Sequence, residues 1–345
     1  MSLFITGDIM VGRGVAPAIS NIGFSNLLKA FRRHIGDGPI ISNLECPLTN
    51  ICSDKKGING APKFNANPDI AKDFKINNFI GFSLANNHIF DSGLDGYNET
   101  ILNLEQNGIF SFGSGLNINE AYKAASVEID QTRISFIGCS YRPLADNNKA
   151  GVADAYNPIL LEKIKEAKNN TDIVIVMPHT GIEFLDYPIP RDQSLFRNII
   201  DAGADLVVGG HSHCVQVKEN YNNSWIYYSI GDLVFDHADD KVWSNFRNKD
   251  SNAYIYSPET KRDKPLYSIT LKLTFKNNKI ANIEDILVKI PKQIETPFAL
   301  PPSDRVKENW LKEFNKRNLK FKKDKNLQLS LEKIEKDLIT KILKR

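Results

Sequence analysis

Short apolar stretches recur along this chain, and five of them run directly into side chains that can bind a metal ion. Residues 2–7 lead into Asp8, and residues 39–42 into Asn43-Leu44-Glu45. Residues 79–85 lead into Asn86-Asn87-His88, residues 172–178 into His179, and residues 206–210 into His211-Ser212-His213. Between them lie segments with helical periodicity: Phe24 to His34, Pro68 to Lys75 (with Asn67 as its cap), Asp95 to Asn107, Ile159 to Asn169 and Gln193 to Ala202. Buried strands alternating with helices predict an α/β protein. In such sheets functional groups collect at the carboxyl ends of the strands. The five ends would bring together two carboxylates, a carboxamide and four imidazoles, a ligand set for one or two divalent cations.

The remaining pattern completes the plan. Gly108 to Gly113 and Arg133 to Cys139 read as strands, the second antiparallel to the first group or on its far side. Trp225 to Ile230 is a strand ending at Gly231-Asp232. Residues 237–266 are polar and weakly periodic, and a loop of that length predicts a lid or a substrate-side insertion. Tyr267 to Phe275 and Ile280 to Ile290 alternate as a hairpin joined by Lys276-Asn277-Asn278-Lys279. The domain expectation is one unit over 1–295 and a basic helical tail over 296–345.

Composition changes this picture little. Of 345 residues, 41% are hydrophobic and 25% charged, as in ordinary globular proteins. No apolar run approaches the ~20 residues that span a bilayer. The expected location is cytoplasmic as given, or the cell envelope if a leader or anchor has been removed. Four scattered cysteines form no CxxC pair and read as small buried hydrophobes. Charge is uneven: residues 305–345 carry 14 Lys/Arg and 6 Asp/Glu, a balance of +8 in a chain whose total is +3. Such a tail suits a polyanion. However, Leu327, Leu331, Ile334, Leu338 and Ile342 recur at helical spacing, so it reads first as a solvated amphipathic helix.

Two of the strand ends carry the clearest chemistry. His211 and His213 would point to opposite faces of an extended strand, but the turn permitted by Gly209-Gly210 can present both to a pair of ions. In Asn86-Asn87-His88 an amide oxygen can ligate a cation while the imidazole faces substrate, with Asp91 behind it to fix the tautomer. Glu45 suits the bridging position that two cations ~3.5–4 Å apart require. Gly12-Arg13-Gly14 lacks a full dinucleotide fingerprint. Arg13 is better read as an anion contact, and Glu183 as a substrate or outer contact beside His179.

Read together, residues 7–14, 43–49, 83–93, 179–183, 203–213 and 228–236 resemble, in order, the CapA-type poly-γ-glutamate capsule biosynthesis family. That family lies within the calcineurin-like metallophosphoesterase superfamily. The resemblance implies a four-layer α-β-β-α sandwich, here followed by a C-terminal hairpin and helical tail. It implies one ion held by Asp8, Glu45 and His213, and another by Glu45, Asn87, His179 and His211, with Mn, Fe, Zn or Mg as candidates. His88, oriented by Asp91, would be the proton donor, and Arg13, Glu183 and Asp232 would contact substrate. Met10 stands where the wider superfamily has a histidine ligand, and a thioether is a poor ligand for hard cations.

The implied function is a metal-dependent hydrolase or transferase of surface-polymer biosynthesis. It would act on an amide, ester or phosphoryl centre with water activated at the metals. Its partners would be an anionic polymer or a phosphorylated or acylated small molecule, and other capsule-biosynthesis proteins, with no specific nucleic acid. Two other readings stay open: a non-enzymatic polymer-binding or export accessory, and a general metallophosphoesterase.

Overall fold

The computed structural model describes residues 2–51, 63–236, 266–290 and 298–343. The proposed insertion at 237–266 lies outside them except for its last residue.

Two sheets face each other. In the first, β1 (Ser2–Ile9), β2 (Ile40–Leu44), β3 (Phe79–Ser83) and β4 (Phe110–Phe112) run parallel in that order. A two-residue strand, β5 (Ser114–Gly115), follows and later pairs with β8 (Gly151–Val152). The second sheet begins with the antiparallel pair β6 (Ala125–Ile129) and β7 (Thr132–Ser140). It continues through β9 (Ile173–His179), β10 (Leu206–Val208), β11 (Lys218–Tyr221) and β12 (Ser224–Tyr227) in the order β11-β12-β10-β9-β7-β6. The chain then returns to the first sheet: β13 (Asp232–Val234) pairs parallel with β1, and the hairpin β14 (Leu266–Lys276) and β15 (Lys279–Ile290) adds antiparallel strands beside it. Asn277 and Asn278, at φ 52° and 58°, make the left-handed turn that closes the hairpin.

Alternation along each strand divides the core. In β1, Leu3 and Ile5 point between the sheets, where they join Ile175, Met177 and Val208 from the second sheet. Phe4 and Ile9 point outward to the helices Phe24–Ile35 and Ile70–Ile76. On the other side Val174, Val176 and Val207 meet the helices Ile159–Asn170 and Pro190–Asp201. The result is the four-layer sandwich expected. One local reading shifts, and one that was left open is decided. The helix expected from Pro68 starts at Ile70, because the Asn67 side chain accepts the Asp69 N–H at 2.9 Å and holds a turn there. The strand read at Arg133 to Cys139 lies in the second sheet, parallel to β9, with Ser140 opposite His179. Its carboxyl end therefore joins the same edge as the histidines.

Of the two C-terminal helices, Asp304–Lys323 and Lys325–Leu343, the first sends Phe314 into the cluster between the sheets, and both reach the second sheet's helical side. Phe321 and Leu331 are buried there, and Leu327 and Ile334 pack beside them. Arg317 pairs with Asp186 at 3.1 Å. No helix among the described residues is long and apolar enough to cross a membrane.

Candidate metal centre

Parallel strands put the ends of β1, β2 and β3 at one edge, and the ends of β7, β9 and β10 face them from the second sheet. Asp8 is 1% exposed and joins the two sheets: one carboxylate oxygen accepts the His211 backbone N–H at 3.0 Å, and the other accepts the Asn43 amide at 2.9 Å. Gly210 makes this approach possible, because a Cβ there would lie 2.8 Å from an Asp8 oxygen.

The turn after Gly210 is left-handed at both histidines, with φ 79° at His211 and 51° at His213. Non-glycine residues hold that conformation at a cost of about 1–3 kcal/mol, which the surrounding contacts must offset. It brings both imidazoles inward. Glu45, His179 and His211 offer ligand atoms within 4.8 Å of one another, and so do Asp8, Glu45 and His213. Glu45 is common to both groups. His179 Nε2 lies 3.4 Å from a Glu45 oxygen and 3.0 Å from the Asn87 side-chain oxygen, so the amide expected as a ligand faces the same point.

The protonation states favour cation binding. Burial pulls His179 down to about 4, and burial with the neighbouring imidazoles holds His211 well below the usual histidine value. Both therefore present neutral nitrogens. His211 Nδ1 is buried with no hydrogen-bond partner among the described residues, a donor-free nitrogen of the kind an ion satisfies. Asp8 is pushed up to about 7 by burial and by Glu45. Burial also acts to lower His213, but Asp232, Glu45 and Asp8 outweigh it and raise it well above 6.5. Carboxylates and imidazoles crowded in this way gain by exchanging protons for a cation.

Further residues surround these candidate ligands. Asp232, expected at the substrate, is 1% exposed and lies with its carboxylate 2.9 Å from His213 Nδ1. It orients an imidazole instead of lining open space. Met10 is fully buried in the apolar cluster behind the first sheet. His88 Nδ1 is 2.7 Å from Asp91, whose same oxygen accepts the Phe64 N–H at 2.8 Å. The Phe64 ring stacks on the imidazole at 3.9 Å. Arg13, itself left-handed at φ 48°, lies 3.5 Å from Asp236 and 5.3 Å from the Phe64 ring centre. Glu183 is raised by burial and keeps one buried oxygen without a hydrogen bond among the described residues.

Three site residues escaped the sequence reading. Asn43 bridges Asp8 and His179, at 2.9 and 3.3 Å. Tyr141 places its hydroxyl 3.3 Å from His211 Nε2, and burial raises it to about 12, so it stays a neutral phenol. Arg142 follows, its guanidinium 5.2 Å from the Tyr141 ring centre. Tyr141 and Arg142 sit just past the end of β7, where the rule that found the other ligands also points.

A family model described as bacterial capsule synthesis protein PGA_cap matches residues 2–237. The chain is 27% identical over 358 residues to the capsule biosynthesis protein CapA of Bacillus anthracis, an alignment covering 100% of this chain and 80% of that relative. It is 31% identical over 260 residues to the PGA biosynthesis protein CapA of Bacillus subtilis, covering 72% of this chain and 66% of that one. A solved structure described as a novel phosphatase from Mycoplasma pneumoniae has the same fold at TM-score 0.52 and 12% identity, over 90% of this chain and 96% of that chain.

Proposed function

This chain belongs to the bacterial capsule synthesis protein PGA_cap family, and on that premise we propose that it is a two-metal enzyme acting on an acyl or phosphoryl centre of an anionic surface polymer. The observation that carries the reading is Glu45, which belongs to both ligand groups at the facing sheet edges. Asp8 and His213 would complete one ion, and Asn87, His179 and His211 the other. Two bound cations would lower the pKa of water and stabilise negative charge developing at the reacting centre.

The protein's own residues supply the rest. Asp232 holds His213 in one tautomer by taking its Nδ1 side, which leaves Nε2 toward Glu45. Asp91 does the same for His88 and leaves Nε2 to give a proton to the departing atom. Phe64 covers one face of that ring and keeps water from it. Arg13 presents a guanidinium beside Phe64 for an anionic group of the substrate. The polymer named by the Bacillus subtilis relative, PGA, is the substrate class tried first.

Elemental analysis of the purified protein tests the metal part: two divalent ions per chain are expected, falling to at most one in His211→Ala and to none in Glu45→Ala. Two ions retained by Glu45→Ala would defeat the reading.

A further inference from the structure

Contacts around the site form an unbroken row. Arg13 lies over the Phe64 ring, and Phe64 stacks on His88. The neighbouring Asn87 touches His179, the His179 and His211 rings are 4.8 Å apart, and Tyr141 reaches His211. Arg142 ends the row over Tyr141. An arginine thus stands at each end, with the ligand cluster between. The Arg13 NH1 nitrogen is buried and without a hydrogen-bond partner among the described residues. Arg142 is exposed and makes no ion pair among them. Its guanidinium lies 5.2 Å from the centre of the Tyr141 ring, whose hydroxyl is 3.3 Å from His211 Nε2, so it stands one side chain away from the ligand cluster.

An arginine held flat on an aromatic ring loses little freedom on binding, and its fork suits a carboxylate or phosphate. Arg197 and Arg317 also lie over aromatic rings, but each has a carboxylate partner, Glu219 at 3.0 Å and Asp186 at 3.1 Å, which Arg142 lacks among the described residues.

We propose that Arg142, seated on Tyr141, forms a second oxyanion-binding arm opposite Arg13, so that the site takes a substrate with an anionic group on each side of the reacting centre. The inference rests on the two-metal reading above for where the reacting centre lies. A polymer with one carboxylate per repeat meets this requirement, and so does a chain of phosphates. A neutral ester or amide does not.

Calorimetric titration of the manganese-loaded full chain separates these cases. The probes are a γ-linked glutamate pentamer, its fully methylated ester and inorganic tripolyphosphate. Arg142→Ala is expected to weaken the pentamer about 10- to 100-fold, as for a lost hydrogen bond to a charged group. Arg142→Lys should recover part of that, and the ester should show no dependence on residue 142. Unchanged melting temperatures will show that the exposed side chain is not needed for folding. If tripolyphosphate depends on Arg142 while the pentamer does not bind, the arm stands and the polyglutamate reading fails. If the pentamer binds wild type and Arg142→Ala equally, the arm is overturned and the reading survives. Binding of neither charged probe to wild type overturns the arm.

Discussion

His213 Nδ1 lies 2.9 Å from Asp232 Oδ1, and both side chains are almost wholly buried. This contact fixes which ring nitrogen is left toward Glu45 and the proposed ion. It also explains why a left-handed backbone at His213 is worth keeping, since the turn aims Nδ1 at Asp232. Removing the carboxylate frees the ring to turn and lowers its basicity. Asp232→Ala should therefore weaken metal binding by about 10- to 100-fold, the usual effect of deleting an outer partner of a histidine ligand. Competition against a chelator of known affinity measures this. Retention of wild-type affinity would show that Asp232 does not set the ligand.

Metal loading should depend on pH in a direction set by Asp8. Its carboxyl is raised to about 7 by burial and Glu45, while His179 is lowered to about 4. Below pH 7 the metal-free site holds protons on Asp8 and on His213, which its carboxylate neighbours raise well above 6.5, and the cation must displace both; His179 is already neutral there. Affinity should rise between pH 5.5 and 7.5. Titrations in buffers of different ionisation enthalpy should show proton release at pH 6 and less at pH 8.5.

The site was legible where a strand ran into its ligand. The candidate ligands Asp8, Glu45, His179 and His211, and His88 beside them, each follow an apolar run, and the fold brings these ends together because the strands that carry them run parallel. Tyr141 and Arg142 were missed because the sequence left open whether β7 ran antiparallel to the first strands or lay on their far side; a hydrophobic run does not encode direction, and only the fold puts β7 in the second sheet, parallel to β9. Asp232 was visible as a strand-end acid, but its partner was not, since a separation of 19 positions from His213 carries no signal for that pairing. Asn43 was hidden by its neighbour Glu45. The tail's periodicity was legible, whereas the surface it covers depends on partners such as Gln193 and Arg191, which hydrogen-bond Gln328 and Glu335.

Asp192 offers a test of stability against pH. It is 3% exposed, accepts from the Tyr156 hydroxyl at 2.9 Å, and is raised from 3.8 to about 6 by burial. A raised carboxyl pKa means that the folded chain binds the proton more tightly than the unfolded one. Stability is then greatest below pH 3.8, falls as pH rises to about 6, and is level above. Asp192→Asn keeps the Tyr156 contact and removes the charge. It should stabilise the protein at pH 8 by on the order of 2–3 kcal/mol, an advantage that fades toward pH 4. Urea unfolding at the two pH values reads this out.

Leu331 anchors the tail. It is 1% exposed among Leu327, Ile334 and the helix Pro190–Asp201, while Leu329 two residues away is 61% exposed. Leu331→Ala should cost about 2–3 kcal/mol, at the low end for a buried leucine because the neighbouring helix can close in. Leu329→Ala should change stability by less than ~0.5 kcal/mol. Equal effects in denaturant unfolding would mean that the helix does not dock through this face.

His88 is the residue on which catalysis is expected to turn. Asp91 holds its Nδ1 side at 2.7 Å and Phe64 covers one face, so the free nitrogen has one direction left to act in. His88→Gln removes the proton without touching the ligand groups. Turnover of a substrate with a poor leaving group should fall by about 10²–10⁴, the range for a general acid, with metal content unchanged. An aryl leaving group that departs without a proton should show a much smaller loss. Asp91→Asn should follow the same pattern more weakly, because it disturbs the ring's orientation and leaves the ring in place. Equal losses on both kinds of leaving group would assign His88 to substrate binding instead of proton transfer.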